Sequence, residues 1–244
     1  MRIEKGRYVT RLAQGATDID RALDLRRQVF RTRRGLGGPD TDGFDARCAH
    51  VVVEDVRTSD LVCGFRVLVL PSGDHLARSY AAQHYDLTRL AGFRGPMLEL
   101  GRFCLHPDHS DPDILRLAWG AMARLVADQG VTLLFGCSSF EGADPARHAS
   151  ALALLRAGHL APEQWRPLAR PGAYDFAAHS TPAADLRTGL MTLPPLLRTY
   201  LAMGGWVSDH AVIDRDLDTL HVFTAVEIDR IPPARARALR AIAQ

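Results

Sequence analysis

The sequence has very little lysine: Lys5 is the single lysine among 30 basic residues, and the others are arginines. It also lacks any run of basic residues longer than a pair such as Arg33-Arg34, and its formal net charge is only +2. Binding to a nucleic-acid backbone depends on clustered basic side chains that contact many phosphates. We therefore expect no nucleic-acid partner.

Metal-binding and disulfide patterns are missing as well. The cysteines lie in or beside apolar runs and include no C-x-x-C pair; they are Cys48, Cys63, Cys104 and Cys137. This spacing is not that of a zinc site or a disulfide framework, and it is typical of buried thiols in a reducing cytosol.

Long apolar segments are absent too. The first residues do not contain the apolar core of a signal peptide. The most apolar window, 189–207, is interrupted by Pro194, Pro195 and Arg198, so it is too short and too broken to cross a bilayer, although it can lie on one. We expect a cytoplasmic protein with peripheral contact at the inner face of the membrane.

The composition is that of a globular chain, with 47% hydrophobic and 24% charged residues. We expect a single domain over residues 1–244, in which residues from about 180 to 244 form a C-terminal elaboration. Apolar periodicity and capping residues predict a fold of the α/β class. The predicted helices cover 17–31, 76–90, 111–129, 145–157, 193–203 and the arginine-rich C-terminus. The predicted strands cover 49–55, 61–70, 97–105, 131–137, 207–213 and 219–228.

The predicted strand 97–105 carries two charges where apolar residues are expected. In a regular strand Glu99 shares a face with Phe103, whereas Arg102 points to the opposite face. Gly101 between them can mark a bulge, which would turn Arg102 toward the side of Glu99. A structural ion pair and a catalytic pair both explain such charges.

Two further arginines fall on apolar faces. Arg26 lies within the apolar stripe of the first helix and is either a snorkelling residue at its edge or a buried guanidinium that reaches a carboxylate. Arg66 alternates onto the apolar face of its strand. A glycine-rich stretch, 33–43, is predicted to be an irregular loop. Acids cluster at its end, where they bind a cation or are solvated; they are Asp40, Asp42 and Asp45.

The order of these residues resembles that of the acyl-homoserine-lactone synthase branch of the GNAT-like acyltransferases, although a tryptophan usual in the early loop is missing. The residues that carry this resemblance are Arg26, Phe30, Asp42, Asp45, Arg66, Glu99 and Arg102. Within this group the chain is more similar to the ornithine N-acyltransferases that begin ornithine-lipid synthesis. That similarity rests on the segments 99–107, 134–140, 144–145 and 194–201. The resemblance implies a central, mixed and twisted sheet flanked by helices.

The resemblance also implies an activity. A (3-hydroxy)fatty acyl chain would pass from the phosphopantetheine thioester of an acyl carrier protein to the α-amino group of L-ornithine, giving lyso-ornithine lipid without a metal or another cofactor. We assign catalysis to Glu99, as the base that takes a proton from the ammonium, and to Arg102. The residues assigned to substrate binding are Arg26, Phe30, Asp42, Asp45, Arg66, Phe103 and Cys104.

The chemistry of ornithine gives these residues roles. Its carboxylate needs a fork of donors, which Arg66 or Arg102 can supply, and its second ammonium needs an acid, Asp42 or Asp45. Arg26 would then support one of these acids. The alternative is a purely structural network of arginines and aspartates, whose disruption would impair folding rather than affinity.

The carrier protein is acidic, and we expect it to dock near the helix 111–129, where Arg116 and Arg124 are candidates. The acids between Asp108 and Asp113 compete with phosphate for the amides at the start of this helix. They disfavour the pyrophosphate of coenzyme A.

Three other interpretations remain. His106 and Asp111 form the His-x4-Asp motif of glycerolipid acyltransferases, which would make the chain an O-acyltransferase with His106 as base. A second is signal-forming acylation of the acyl-homoserine-lactone type. A third is a fold without activity that binds lipid or a partner. Within the N-acyltransferase interpretation, Cys104 as a covalent nucleophile is an alternative to direct attack on the thioester.

Overall fold

The computed structural model of the protein describes residues 1–179 and 186–242. The strands in this part of the chain are β1 (Arg2–Lys5), β2 (Tyr8–Leu12), β3 (Ala49–Asp55), β4 (Asp60–Leu70), β5 (Met97–Leu105), β6 (Leu133–Glu141), β7 (Tyr174–Asp175), β8 (Trp206–Asp214) and β9 (Thr219–Glu227). The helices are α1 (Gly15–Phe30), α2 (Pro112–Asp128), α3 (Ala149–Gly158), α4 (Leu186–Thr192), α5 (Pro195–Ala202) and α6 (Pro233–Ile242). The fold is therefore of the predicted α/β class.

The described residues divide into two compact units. The first comprises residues 1–69, 100–131 and 233–242, and the second comprises 70–99, 132–179 and 186–232. Strand β5 crosses the boundary in sequence, because residues 97–99 belong to the second unit and 100–105 to the first. The predicted C-terminal elaboration contributes to both units, and the single domain stays a prediction.

Antiparallel strands and two helices build the core of the first unit. β1 pairs with β2, β2 with β3, and β3 with β4, and both α1 and α2 contact these strands. Ala22 and Leu25 are three residues apart on α1, so they share a face and are buried together with Cys104 of β5. Arg26 lies on this buried side of the helix and is only 2% exposed.

In the second unit, β6 pairs antiparallel with β9, β9 with β8, and β8 with β7. The register of β8 shifts between Val207 and Ala211. The Ser208 hydroxyl accepts a hydrogen bond from the N–H of Phe223 and donates one to the carbonyl of His210, which stabilises this bulge. Apolar residues of α3 and α5, such as Leu155 and Leu197, are buried over these strands.

Most predicted elements are confirmed. The strands predicted at 49–55 and 97–105 form as β3 and β5, and the predicted cap of α2 is present, because the Asp111 carboxylate accepts a hydrogen bond from the N–H of Asp113. Helix α1 begins at Gly15, earlier than predicted, and the carboxylate of Asp18 in its first turn accepts the N–H of Gln14. Within the described residues, no helix has both the length and the apolarity to cross a membrane.

The helix predicted over 76–90 is wrong. This stretch forms separate 3₁₀ segments, Gly73–Arg78, Ala81–Gln83 and Thr88–Gly92. A carboxylate outside the stretch accepts the N–H groups of Tyr80 and Ala81, which an α-helix would direct to its own carbonyls. The spacing of the apolar residues therefore fits a helix, but backbone N–H groups of the stretch bond to a side chain instead of to helical carbonyls.

Candidate functional site

Arginines and aspartates of the first unit form a network of ion pairs, which we call the arginine–aspartate cluster. Its arginines come from α1, β4 and β5, and its aspartates come from the loop between α1 and β3. The members are Arg26, Arg66, Arg102, Asp40, Asp42 and Asp45. Of the cluster residues assigned a role from the sequence, the structure therefore brings all five into contact and adds Asp40.

Arg66 makes short ion pairs with two aspartates of the cluster. Its Nη1 and Nη2 donate to Oδ1 and Oδ2 of Asp42 at 2.6 and 2.7 Å, and Nη1 also donates to Oδ1 of Asp45 at 2.6 Å. The side chain is only 3% exposed. A bidentate ion pair of this kind fixes the orientation of both the guanidinium and the carboxylate. Because Arg66 is already paired with Asp42 and Asp45, Arg102 is the better candidate to bind the carboxylate of a substrate.

Arg26 is a buried guanidinium and not a snorkelling residue. Its Nε donates to Oδ2 of Asp40 at 2.9 Å, and its Nη1 pairs with Oδ1 of Asp45. The side chains of Arg26 and Asp40 are 3% and 2% exposed. Sequence reasoning gave Asp40 no role of its own; the one available signal was its position two residues before Asp42.

The charges of the cluster stabilise one another. Burial acts to raise the pKa of Asp42, but the hydrogen bonds and charge of Arg66 outweigh burial and hold that pKa below its usual value. Burial likewise acts to raise the pKa of Asp45, and the N–H of Asp42 together with Arg26 lowers it overall. Burial acts to lower the pKa of Arg66, whereas Asp42 and Asp45 raise it above its usual value. These groups therefore stay charged at neutral pH.

Arg102 and Asp42 form the more open side of the cluster. The Nη2 of Arg102 lies 3.5 Å from Oδ2 of Asp42, and its Nε lies 3.4 Å from Oδ2 of Asp40. The side chains of Arg102 and Asp42 are 15% and 24% exposed. A guanidinium and a carboxylate are thus presented side by side, which suits a ligand that carries both a carboxylate and an ammonium.

The backbone of β5 is irregular at this point. Arg102 has a φ of +54°, the left-handed conformation, which costs a residue other than glycine about 1–2 kcal/mol. The irregularity that the sequence placed at Gly101 therefore lies at Arg102. Such strain often accompanies functional residues, because surrounding contacts must hold the conformation in place.

The aromatic residues assigned to substrate binding have apolar or cationic neighbours. Phe103 stacks on Phe65 with ring centroids 5.5 Å apart, and Phe30 is partly buried beside the apolar cluster of α1. The ring of Phe44, which sequence reasoning did not assign, lies 5.7 Å from the guanidinium carbon of Arg66. The binding roles of Phe30 and Phe103 stay predictions.

The environment of Cys104 disfavours a nucleophilic thiolate. Its side chain is buried among apolar residues of α1 and β4, and its thiol lies 3.5 Å from the carbonyl oxygen of Gly64. Burial raises the pKa of Cys104 to about 12, although the charge of Arg26 acts in the opposite direction. A thiol of this kind is protonated at neutral pH and reacts slowly.

Glu99 belongs to the second unit and is 5% exposed. Its Oε2 accepts the N–H of Tyr80 at 2.8 Å, and its Oε1 accepts the N–H of Ala81 at 2.7 Å. The carboxylate therefore holds the start of the 3₁₀ segment Ala81–Gln83. Each carboxylate oxygen has a second lone pair, so this geometry is compatible with a further hydrogen bond from a water or an amine.

The residues after this segment join a buried aromatic cluster that sequence reasoning missed. The hydroxyl of Tyr85 donates to the carbonyl of His221 and lies 2.9 Å from its Nδ1. His210 packs 5.4 Å from the ring of Tyr85, and its Nδ1 lies 2.8 Å from Oδ1 of Asp209. No sequence signal indicated this cluster, because its members are far apart in the chain.

The remaining assigned residues have local partners, and the docking role of Arg116 and Arg124 stays a prediction. The Nδ1 of His106 accepts the N–H of Asp108, and Asp111 caps α2. Arg116 pairs with Asp113 at 2.8 Å and Arg124 with Asp128 at 2.9 Å, and both arginines are 56% exposed. Within the described part of the chain, no group of three or more histidines, cysteines or acids is placed to hold a metal ion.

Known proteins are similar to this chain over most of its length. The family described as acetyltransferase (GNAT) domain matches residues 25–120, which include the arginine–aspartate cluster and Glu99. A protein of Rhodobacter capsulatus named L-ornithine N(alpha)-acyltransferase is 35% identical over 90% of this chain and 90% of its own length. A protein of Brucella abortus with the same name is 31% identical over 93% of this chain and 86% of its own length.

Solved structures are more distant. FeeM, an N-acyl amino acid synthase from uncultured soil microbes, is 11% identical, with a TM-score of 0.49 and coverage of 95% of this chain and 99% of that chain. TofI, in a ternary complex with an inhibitor and MTA, is 14% identical, with a TM-score of 0.49 and coverage of 96% of this chain and 98% of that chain.

Proposed function

The chain belongs to the L-ornithine N(alpha)-acyltransferase family and is an acyltransferase, and we propose that it transfers a (3-hydroxy)fatty acyl chain from an acyl carrier protein to the α-amino group of L-ornithine. The product would be lyso-ornithine lipid. The names of the relatives support ornithine as the acceptor.

The observation that best supports this acceptor is the open side of the arginine–aspartate cluster. The guanidinium of Arg102 suits the carboxylate of an amino acid, and the carboxylate of Asp42 suits a second ammonium. The buried pairs of Arg26 and Arg66 hold these two groups in place from beneath. An uncharged side chain on the acceptor would leave Asp42 without this partner.

Acyl transfer needs a free amine, so a proton must leave the α-ammonium before the nitrogen attacks the thioester carbon. We assign this step to Glu99, directly or through a water; a base of this kind accelerates a reaction by roughly 10²–10⁴. The C–N bond then forms as the C–S bond of the thioester breaks, and the thiol of the carrier protein leaves. Neither a metal nor another cofactor is part of this proposal.

The O-acyltransferase interpretation has less support. It needs His106 as a base oriented by Asp111, but the Asp111 carboxylate accepts the N–H of Asp113 as the cap of α2. The Nδ1 of His106 accepts the N–H of Asp108. The geometry therefore gives both residues local structural roles.

The test is a reaction of the purified protein with a 3-hydroxyacyl carrier protein and a panel of ornithine, lysine, norvaline and glycerol 3-phosphate, read by mass spectrometry. We expect an N-acyl product with ornithine and much less with norvaline. Acylation of glycerol 3-phosphate in place of ornithine would support the His106 mechanism. Transfer to no acceptor would contradict the proposal.

A further inference from the structure

The segment 186–208 has an unusual composition for a folded protein surface. It contains no aspartate or glutamate over its 23 positions, and its charged residues are Arg187 and Arg198. It includes α4, α5 and the first residues of β8. Any charge that this segment presents is therefore positive.

Helix α4 packs against α3 on one side and is exposed to solvent on the other. Gly189 packs so closely on α3 that a Cβ at this position would lie 2.5 Å from the carbonyl oxygen of Ser150. Leu190 and Met191 are 53% and 72% exposed. Arg187 lies three and four positions before them, on the same face of the helix, and is exposed as well.

Helix α5 repeats this arrangement. Leu197 and Tyr200 are buried, while Pro195 and Arg198 are exposed. We use the name 187–198 segment for five of the exposed residues of these two helices, namely Arg187, Leu190, Met191, Pro195 and Arg198.

A cavity of about 290 Å³ lies on a neighbouring face of α3, the helix on which α4 packs. Its walls include Leu152, Tyr174 and Phe176, and Arg156 lines it too; the described residues that line it include no carboxylate. This second, independent feature resembles the 187–198 segment in its apolar surface and its positive charge.

We propose that the 187–198 segment docks on an anionic lipid bilayer, with Leu190 and Met191 in the interfacial region and Arg187 and Arg198 near lipid phosphates. Apolar side chains bounded by arginines are typical of surfaces that lie on a membrane. This inference deepens the proposed function, because an enzyme that makes a lyso-lipid must release an amphiphile that partitions into lipid. An acidic protein partner is the competing occupant, but contact with it would not require two exposed aliphatic side chains in succession.

The experiment measures co-sedimentation of the purified full-length protein with phosphatidylcholine vesicles that contain or lack phosphatidylglycerol. We expect binding to the anionic vesicles and a decrease of on the order of tenfold in the partition coefficient for Leu190→Ser/Met191→Ser. Arg198→Gln should lower the partition coefficient about fivefold, since each arginine near an anionic surface contributes a factor of this size. The matched control is Val56→Ser, because Val56 is 54% exposed but lies in the first unit.

Three outcomes would overturn the proposal: no binding to anionic vesicles, equal binding to vesicles without phosphatidylglycerol, or unchanged binding of Leu190→Ser/Met191→Ser. A higher KM of this variant for the carrier protein, without a change in vesicle binding, would assign the segment to a protein partner instead. Met191→Ser alone serves if the double variant does not fold. Acyl transfer to ornithine in the absence of vesicles is measured separately, so a failure of the proposed function is distinguishable from a failure of membrane docking.

Discussion

The substitution Asp42→Asn tests whether the arginine–aspartate cluster recognises the second ammonium of the acceptor. Asparagine keeps the shape of the side chain but replaces one acceptor oxygen with an NH₂ group. The chain loses one of the two short hydrogen bonds between Asp42 and Arg66, and Arg66 keeps its bond to Asp45. The variant therefore changes both the charge available to a ligand and the internal support of the cluster.

The effect on stability follows from these contacts. Unpairing a fully buried charge costs about 3–5 kcal/mol. Asp42 is 24% exposed and Arg66 retains one aspartate, so we expect a loss of about 2 kcal/mol, typical of a disrupted hydrogen bond to a charged group. For a chain of this length that corresponds to a decrease in Tm of about 4–8 °C. The control Asp24→Asn removes the same charge from an aspartate that is 68% exposed and should leave Tm unchanged.

The effect on recognition is separated from stability by comparing two substrates. Ornithine has a second ammonium and norvaline does not, so loss of a charged hydrogen bond should raise KM for ornithine about 10- to 100-fold and leave KM for norvaline unchanged. Steady-state kinetics with a fixed acyl carrier protein, on protein that is still folded at the assay temperature, measures both. An equal increase in KM for the two substrates would refute the reasoning and assign Asp42 a purely structural role.

The pH dependence of Tm provides a second measurement on the same variant. Because the pKa of folded Asp42 lies below that of an unfolded aspartate, its contribution to stability is present above the unfolded pKa of about 3.9 and is lost as pH falls through the lower folded value. The difference in Tm between the wild-type protein and Asp42→Asn should therefore shrink as pH falls below about 4. A difference that stays constant into this range would show that the carboxylate charge is not what stabilises the cluster.

Further variants test the other assignments. Glu99→Gln should lower kcat by roughly 10²–10⁴ and also lower Tm, since one of the two backbone N–H groups loses its acceptor; full activity would remove Glu99 as the base. Cys104→Ala should stay active, because burial raises the thiol pKa to about 12; lost activity in folded protein would restore the covalent route. Arg116→Gln/Arg124→Gln should raise KM for the acyl carrier protein at low salt and leave KM for ornithine unchanged, and identical kinetics would place the docking site elsewhere.

The sequence revealed the cluster because charge on an apolar face is visible locally. Arg26 interrupts the apolar stripe of a helix, and Arg66 and Arg102 interrupt the apolar alternation of strands. Each therefore needs a charged partner, which the local periodicity does not identify. Asp40 and Asp42 lie two positions apart in the same loop, and nothing in the sequence distinguishes them. The fold separates them: Asp40 pairs with buried Arg26 and is 2% exposed, whereas Asp42 remains 24% exposed.

The stretch 73–92 could not be predicted in the same way. Its apolar spacing fits a helix, but its backbone conformation depends on Glu99, which accepts two of its N–H groups from a distant position in the sequence. The pairing of Tyr85 with His221 likewise joins residues 136 positions apart. Such contacts depend on tertiary structure, and they leave no mark on the local pattern of apolar and polar residues from which secondary structure is predicted.

The two charges of β5 therefore need experiments that separate a structural role from a role in the reaction. Glu99 holds the backbone of residues 80 and 81, and Arg102 is held by Asp40 and Asp42 in a strained left-handed conformation. Each charge has structural partners, so loss of activity on substitution does not by itself identify a catalytic group. For a binding group, what distinguishes the two roles is dependence on the substrate. Substitution of a group that only supports the fold affects every acceptor alike, whereas substitution of a group that contacts the acceptor affects only the acceptors that carry its partner. Comparing ornithine with norvaline makes that distinction at Asp42. The pH dependence of kcat makes it at Glu99, because a base must lose its proton for the reaction and a backbone anchor need not.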